Sequence, residues 1–329
     1  MYLKDWGRVW LIGLLTTVIF LGCWEIFWRT RGFQPTIQDD WGIWAKVRRQ
    51  AVSRGERAII LVGASRIQAG LHPDIFEEVT GKRPLILAID GSSPIPVLEN
   101  LAEDDRIAGT VICSLNPMFL GEDSDDFGRS KKWIRRYNEQ KWSSRIETQL
   151  SILVEQAFVF RFTGLQPGQL WENLKDRQWP RPFYAPMRPD RYRTMDFSLT
   201  DAERILRGRI ERELDFQKSA APLSHEPFLN KVARIDRLTQ KIENRGGSVI
   251  FIRFPSTGVV RQLEDQTWPR KKYWDIMVTN AGAKAIHFED YPTLSEFDCP
   301  DGSHLDVRDA EIFTRSLAEI LLEKKWVIR

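Results

Sequence analysis

Histidine and cysteine are scarce in this chain, at four and three in 329 residues. None of the cysteines, Cys23, Cys113 and Cys299, falls in a CxxC or similar spacing, so no zinc site is expected, and neither is a cofactor. A single disulfide would require Cys113 to lie beside Cys299. A GxxxxGK[ST] loop is missing, which argues against nucleotide hydrolysis of the P-loop type. Charge of one sign is missing as well. With 48 basic and 45 acidic residues the net charge is +3, without the dominant basic field of a dedicated nucleic-acid binder. No internal repeat or low-complexity tract is found, and no Ala-x-Ala-like cleavage site follows the N-terminal apolar run.

The chain does have one long apolar run. Val9 to Trp28 carries a single charge, Glu25, and about 20 such residues suffice to cross a bilayer as a helix. Trp6, Trp10, Trp24 and Trp28 gather towards its two ends, as in an aromatic belt. Residues 1–33 are therefore read as a membrane anchor and 34–56 as a juxtamembrane segment with a helix over 41–52. Basic residues flank both ends of the run, so the charge count alone does not orient it. A short basic stretch before an apolar run also has the form of an uncleaved signal-anchor, which would export the C-terminal domain.

From residue 57 onwards, short β-rich runs alternate with longer helical patterns, the pattern of an α/β fold with a parallel sheet sandwiched by helices. Strands are expected at 58–62, 85–89, 110–114, 249–254 and 285–288. Helices are expected at 73–80, 96–104, 228–244, 271–281 and 307–324. About 130 residues separate the third and fourth strands, far more than an ordinary crossover. This reads as a long, mainly helical insertion at about 122–245. It opens on the acidic run Glu122 to Asp126 and holds helices near 141–160 and 200–218. Its middle, 177–193, has five arginines and one aspartate among prolines and aromatics, and reads either as a solvated loop or as a contact for an acidic partner.

Ligands of open parallel sheets bind outside the carboxyl ends of the strands. There the expected strands deliver Gly63-Ala64-Ser65-Arg66, then Asp90-Gly91-Ser92, then Ser114-Leu115-Asn116. Asp301-Gly302-Ser303-His304 arrives just before the last helix. A serine nucleophile, a histidine base and an orienting aspartate compose a triad in the order Ser65, Asp301, His304. The Ser65 and Gly91 N–H groups and the Asn116 amide can serve as oxyanion donors. Arg66 is a candidate for an anionic substrate group. Each residue also has a structural reading: Ser65 as a turn or capping residue, Asp301 in an Asx-turn, Gly91 permitting a tight turn, and Arg66 paired with a carboxylate. His72, before Pro73, opens a helix, and His225 and His287 have no catalytic company in the sequence.

The order Ser65, Gly91, Asn116, His304, with Asp301 in a DxxH motif, resembles the SGNH (GDSL-like) hydrolase superfamily over residues 57–124 and 246–322. Its first block here is Gly-Ala-Ser-Arg where the family has Gly-Asp-Ser-Leu. The third is Ser-Leu-Asn-Pro where the family has Gly-x-Asn-Asp, so Pro117 alters the loop that carries Asn116. The membrane-anchored form is similar to bacterial envelope proteins that move or remove O-acyl groups, such as those of teichoic acid D-alanylation and alginate O-acetylation. The resemblance implies a flavodoxin-like sheet and a serine esterase or O-acyltransferase acting on a cell-envelope glycan or lipid-linked substrate. It further implies a single-pass protein of the inner (plasma) membrane, its domain extracytoplasmic, with a membrane acyltransferase as partner and no nucleic acid. The alternative is a non-catalytic envelope assembly or binding protein that retains this fold.

Overall fold

The computed structural model describes residues 3–121, 124–219 and 222–328, with side chains over 6–121, 124–215 and 222–328. Glu122 and Asp123, the start of the expected acidic run, lie outside the described residues, as do the side chains of 216–218 in the expected helix 200–218. Strands β1 (Ile59–Val62), β2 (Leu85–Ile86), β3 (Thr110–Ser114), β4 (Ser248–Arg253) and β5 (Lys284–His287) form one sheet in the order β2-β1-β3-β4-β5. All four pairings are parallel, with Ile60 opposite Val111 and Ile112 opposite Ile250. This is a doubly wound order whose direction reverses between β1 and β3, where such sheets open a crevice.

The strand interiors are apolar because both faces of the sheet are covered, with polar residues confined to the strand ends. Ile60, Val62, Val111, Cys113, Val249 and Phe251 face one core, and Ile59, Leu61, Ile112, Ile250, Ile252 and Ile286 the other. That alternation is the two-residue period of a strand. β2 is shorter than the expected 85–89, yet the Leu87 and Ile89 N–H groups still donate to Leu61 O at 2.8 Å and Gly63 O at 2.9 Å. The extended path therefore continues to the Asp90–Gly91 turn. The two inner cysteines sit in different cores, Cys113 in the first and Cys299 in the second, and both are free. Burial pushes each thiol up to about 12.

The first helix, α1 (Leu3–Arg29), is long and apolar enough to cross a membrane over Trp6–Arg29, with a mean hydropathy of 1.9. Its last turn is tied to the rest of the chain. The Glu25 carboxylate accepts the N–H groups of Val159 (2.8 Å) and Phe160 (3.1 Å), and Arg29 donates to Ala157 O at 2.7 Å. Trp28 and Phe33 are buried with Val159 and Leu165. Next, α2 (Trp41–Arg54) starts where Asp40 Oδ1 accepts the N–H groups of Gly42 and Ile43, a cap worth about 1 kcal/mol. The segment read as juxtamembrane thus belongs to the globular core: Trp44 is fully buried and its indole N–H donates to Leu87 O at 2.9 Å.

The short α3 (Ser65–Gly70) and α4 (Pro73–Thr80) follow β1, and α5 (Ile95–Ala102) follows β2. Pro73 begins α4, where a missing N–H costs nothing, so His72 opens a helix as expected. Between β3 and β4 lie α6 (Ser130–Asn138), α7 (Trp142–Ala157), α8 (Pro167–Lys175), α9 (Ala202–Ser219) and α10 (His225–Glu243). The last of these packs on the sheet through Phe228, Val232, Ile235 and Ile242. After β4 come α11 (Gly258–Thr267) and α12 (Arg270–Asn280), and after β5 come α13 (Pro292–Ser295) and α14 (Val307–Glu323). Of the helices expected beyond the apolar run, each is present with ends shifted by up to three residues, while α1 begins six residues before that run.

The 177–193 stretch is neither a solvated loop nor free to meet an acidic partner over its second half. Arg191 is fully buried, bonds both Asp39 carboxylate oxygens (2.8 and 3.1 Å) and donates to Ile86 O at 2.7 Å. Arg188 pairs with Asp74 and Asp190, and Arg193 with Asp90. These arginines fasten the insertion to the sheet edge.

Candidate active site

The crevice at the carboxyl edge of β1 and β3 opens into a cleft of about 550 Å³. Ser65, Arg66, Gly91, Asn116 and His304 all line it, the first four from the β1, β2 and β3 exits and the last from the turn before α14. A tight turn brings Ser65 there. A Cβ on Gly63 would meet Ile67 Cγ2 at 2.5 Å and Ser114 Cβ at 2.9 Å, so only glycine lets β1 turn into α3 this close to β3. Ser65 is the first residue of α3 and half-buried, its hydroxyl facing the cleft and its N–H in the unpaired first turn.

Asp301 fills two roles at once. Its Oδ1 accepts the N–H groups of Ser303 (3.0 Å) and His304 (2.8 Å), the local turn anticipated as its structural role. Its Oδ2 lies 2.8 Å from His304 Nδ1, and His304 Nε2 lies 2.8 Å from Ser65 Oγ. The carboxylate can only accept, so the imidazole carries its proton on Nδ1 and offers a lone pair on Nε2 to the serine hydroxyl. The three expected triad residues thus form one continuous hydrogen-bonded chain.

Burial lowers the His304 pKa more than Asp301 raises it, with Arg209 and Arg66 adding to the lowering. At Asp301, burial alone would raise the carboxyl, but His304 and then Arg209 hold it well below the ordinary carboxylate range. Arg209, on α9, donates to Asp301 Oδ2 through Nε (3.1 Å), with Nη2 3.0 Å from the same oxygen. Its Nη2 also lies 3.2 Å from His304 Nδ1. Two donors cannot bond each other, so Arg209 binds the carboxylate and only abuts the ring.

A neutral histidine is the basic form, so a lowered pKa keeps the pair competent below the usual histidine value of about 6.5. The acidic limb of a pH profile for modification of Ser65 is therefore expected below pH 6.5. Arg209→Gln removes a cation that disfavours the imidazolium, and should move that limb to higher pH. A limb at the same pH in both proteins would contradict the electrostatic reading.

The residues expected as oxyanion donors are placed less uniformly. Gly91 is exposed at the cleft with φ of 57°, a left-handed conformation natural to glycine. Asn116 precedes Pro117, which starts a short 3₁₀ turn; this makes Asn116 a cap, its Oδ1 accepting the Met118 N–H at 3.3 Å. Its Nδ2 donates to Glu264 Oε1 at 3.0 Å, leaving the second amide hydrogen without an acceptor among the described residues. Pro117 thus fixes the loop in an orientation that still lines the cleft.

Arg66 is held by the protein. It donates to Ser303 Oγ at 3.0 Å and to Glu264, as its structural reading anticipated, while its buried Nη1 has no partner among the described residues. Glu264, on α11, is the hub of this second layer and was not legible as a site residue. Only 3% exposed, it also bonds Arg253 and Ser256. Burial would raise its carboxyl, but Arg253 and Arg66 outweigh that and hold it well below the usual range. Arg253, by contrast, is pulled by burial down to about 10.

The insertion supplies much of the remaining cleft wall, and two of its charged residues, Arg209 and, one turn on, Glu213, stand close to the catalytic candidates. Burial and the nearby Glu264 raise the Glu213 carboxyl, and its Oε1 has no hydrogen-bond partner among the described residues. Ile205, Arg209 and Glu213 recur every four residues, a one-faced spacing that was the available signal for them. The other histidines stay outside the cleft. His287 is buried and pulled down to about 2, chiefly by burial, and His225 begins α10. No protein-family model matches this chain, and no curated protein matches it.

Proposed function

We propose that this protein is a serine-dependent acyl-ester hydrolase or O-acyltransferase of the SGNH-like kind, working through an acyl-enzyme on Ser65. The observation that carries this reading is the unbroken chain Ser65 Oγ–His304 Nε2 and His304 Nδ1–Asp301 Oδ2, both links at 2.8 Å. The strand order supports it, with the serine after β1, the glycine after β2, the asparagine after β3 and the DxxH turn before the last helix.

In the proposed reaction, Ser65 Oγ attacks an ester carbonyl as His304 Nε2 takes the hydroxyl proton. Asp301 holds the ring and balances its charge. The oxyanion is met by the N–H groups of Ser65 and Gly91 and by the free amide hydrogen of Asn116, each such donor worth about 3 kcal/mol. The ester C–O bond then breaks, and His304 returns its proton to the departing alkoxide. In the second half, His304 deprotonates water or a sugar hydroxyl as it attacks the acyl carbonyl; the Ser65 Oγ–acyl bond then breaks and His304 gives the proton back to Ser65 Oγ.

The envelope location and a glycan or lipid-linked substrate belong to the same proposal. They are supported by α1, whose last turn is built into the insertion through Glu25, Trp28 and Arg29. Removal of α1 as a cleaved leader would expose Val159 and Leu165. A fluorophosphonate probe on the full-length protein in detergent is expected to label the wild type, and His304→Ala at least a hundredfold more slowly. Equal labelling rates would overturn the role of His304 and favour a non-catalytic protein.

A further inference from the structure

The insertion carries an apolar surface that neither the sheet nor the cleft uses. Outside α1, ten of the sixteen large hydrophobic residues exposed on the described chain fall within residues 142–183. The densest row is on α7, where Trp142 (77% exposed), Ile146, Leu150, Leu153 and Val154 all face outwards. At 100° per residue, these five side chains occupy an arc of about 120°. The opposite side of the helix faces the protein: Ile152 packs with Ile37, Ile43 and Met187, and Glu155 accepts the Gln38 N–H at 2.8 Å. α7 therefore has one face fixed to the domain and a second, continuous apolar face open.

We propose that α7 is a second membrane contact, its open face lying in the headgroup–acyl boundary of the bilayer that holds α1. This rests on α1 being a membrane anchor. The occupant is identified by where the row ends. The C-terminus of α7, Ala157, and the two residues after Phe158 are bonded directly to Glu25 and Arg29, the last turn of the apolar span. A bilayer that contains the span ends at that level, so the row runs into the membrane surface. The chemistry of the row fits an interface as well. The Arg145 guanidinium lies 4.9 Å from the Trp142 ring, and on neighbouring α8 Lys175 lies 5.8 Å from the exposed Trp171. Tryptophan paired with a basic residue beside an apolar stripe is the composition of helices that lie in the plane of a membrane. A second anchor of this kind stops the domain from swivelling about α1 and holds the Ser65 cleft at a fixed height above the lipid.

The test uses full-length protein in lipid nanodiscs, with some lipids carrying a nitroxide quencher. Cys113 and Cys299 are buried, so Cys23→Ser leaves a background without an exposed cysteine. Leu150→Cys and Ser151→Cys are then each labelled with an environment-sensitive fluorophore, and native Cys23 is labelled separately. The expected result is several-fold stronger lipid quenching and weaker iodide quenching at position 150 than at 151. Equal iodide access at both positions overturns the proposal. Protection of position 150 from iodide and lipid quencher alike also overturns it, by showing that a second copy covers the row. Lipid quenching at Cys23 separates the two claims: if it is absent the anchor fails, and if it is present while position 150 stays unquenched, only the α7 contact fails.

Discussion

Ser65→Ala is expected to lower turnover of an activated ester such as p-nitrophenyl acetate by about 10⁴-fold or more, the loss seen on removal of a triad nucleophile. The fold should survive, because Ser65 sits half-exposed at the start of a short helix and its hydroxyl bonds only His304. His304→Ala should fall to a similar floor, and the double variant should be no worse than either single one. Residues that act as a unit do not add. Loss of less than tenfold in Ser65→Ala would mean that Ser65 is not the nucleophile. Two independent, multiplying losses would mean that serine and histidine act in different steps.

The largest expected effect on stability comes from Glu264. It is buried with Arg66 and Arg253, and a carboxylate removed from such a cluster leaves uncompensated guanidinium charge inside the protein. Breaking a buried pair in this way costs about 3–5 kcal/mol. For a domain this large, that shifts the melting temperature of Glu264→Ala down by roughly 10 °C. Glu264→Gln keeps an acceptor for Arg253 and Ser256 and should lose less. Thermal unfolding monitored by circular dichroism distinguishes these outcomes, and a Glu264→Ala protein that melts with the wild type would contradict them. A drop in esterase activity of Glu264→Gln beyond its stability loss is also expected, because Glu264 sets the rotamer of Asn116.

How far the sequence reaches is visible in these two predictions. The hydrogen-bonded trio Ser65, His304 and Asp301 was legible because its residues sit beside backbone punctuation: Ser65 after a wholly apolar run and a glycine, and Asp301 and His304 in a turn before a helix. Strands buried on both faces announce themselves as apolar runs, and four of the five match to within one residue at each end. Glu264 gave no such signal. Arg-Gln-Leu-Glu-Asp-Gln-Thr reads as a solvated helix, and its burial arises only when α11 meets Arg66 from the turn after β1 and Arg253 from β4. Arg209 and Glu213 were hidden in the same way, within the charged helix Ala202–Ser219. The arginines of 188–193 misled for the opposite reason. Local composition made them look solvated, whereas Asp39, Asp74 and Asp90, more than one hundred residues away, draw them in. Long-range pairing of charges is what a single sequence does not display.

The acyl-enzyme is tested most directly by intact-protein and peptide mass spectrometry after acid quenching of the full-length protein mixed with p-nitrophenyl acetate. One acetyl group is expected on the peptide containing Ser65, on the Ser65 oxygen, and none on that peptide in Ser65→Ala. An unmodified Ser65 peptide during turnover, or an acetyl group carried on another residue, would contradict the acyl-enzyme.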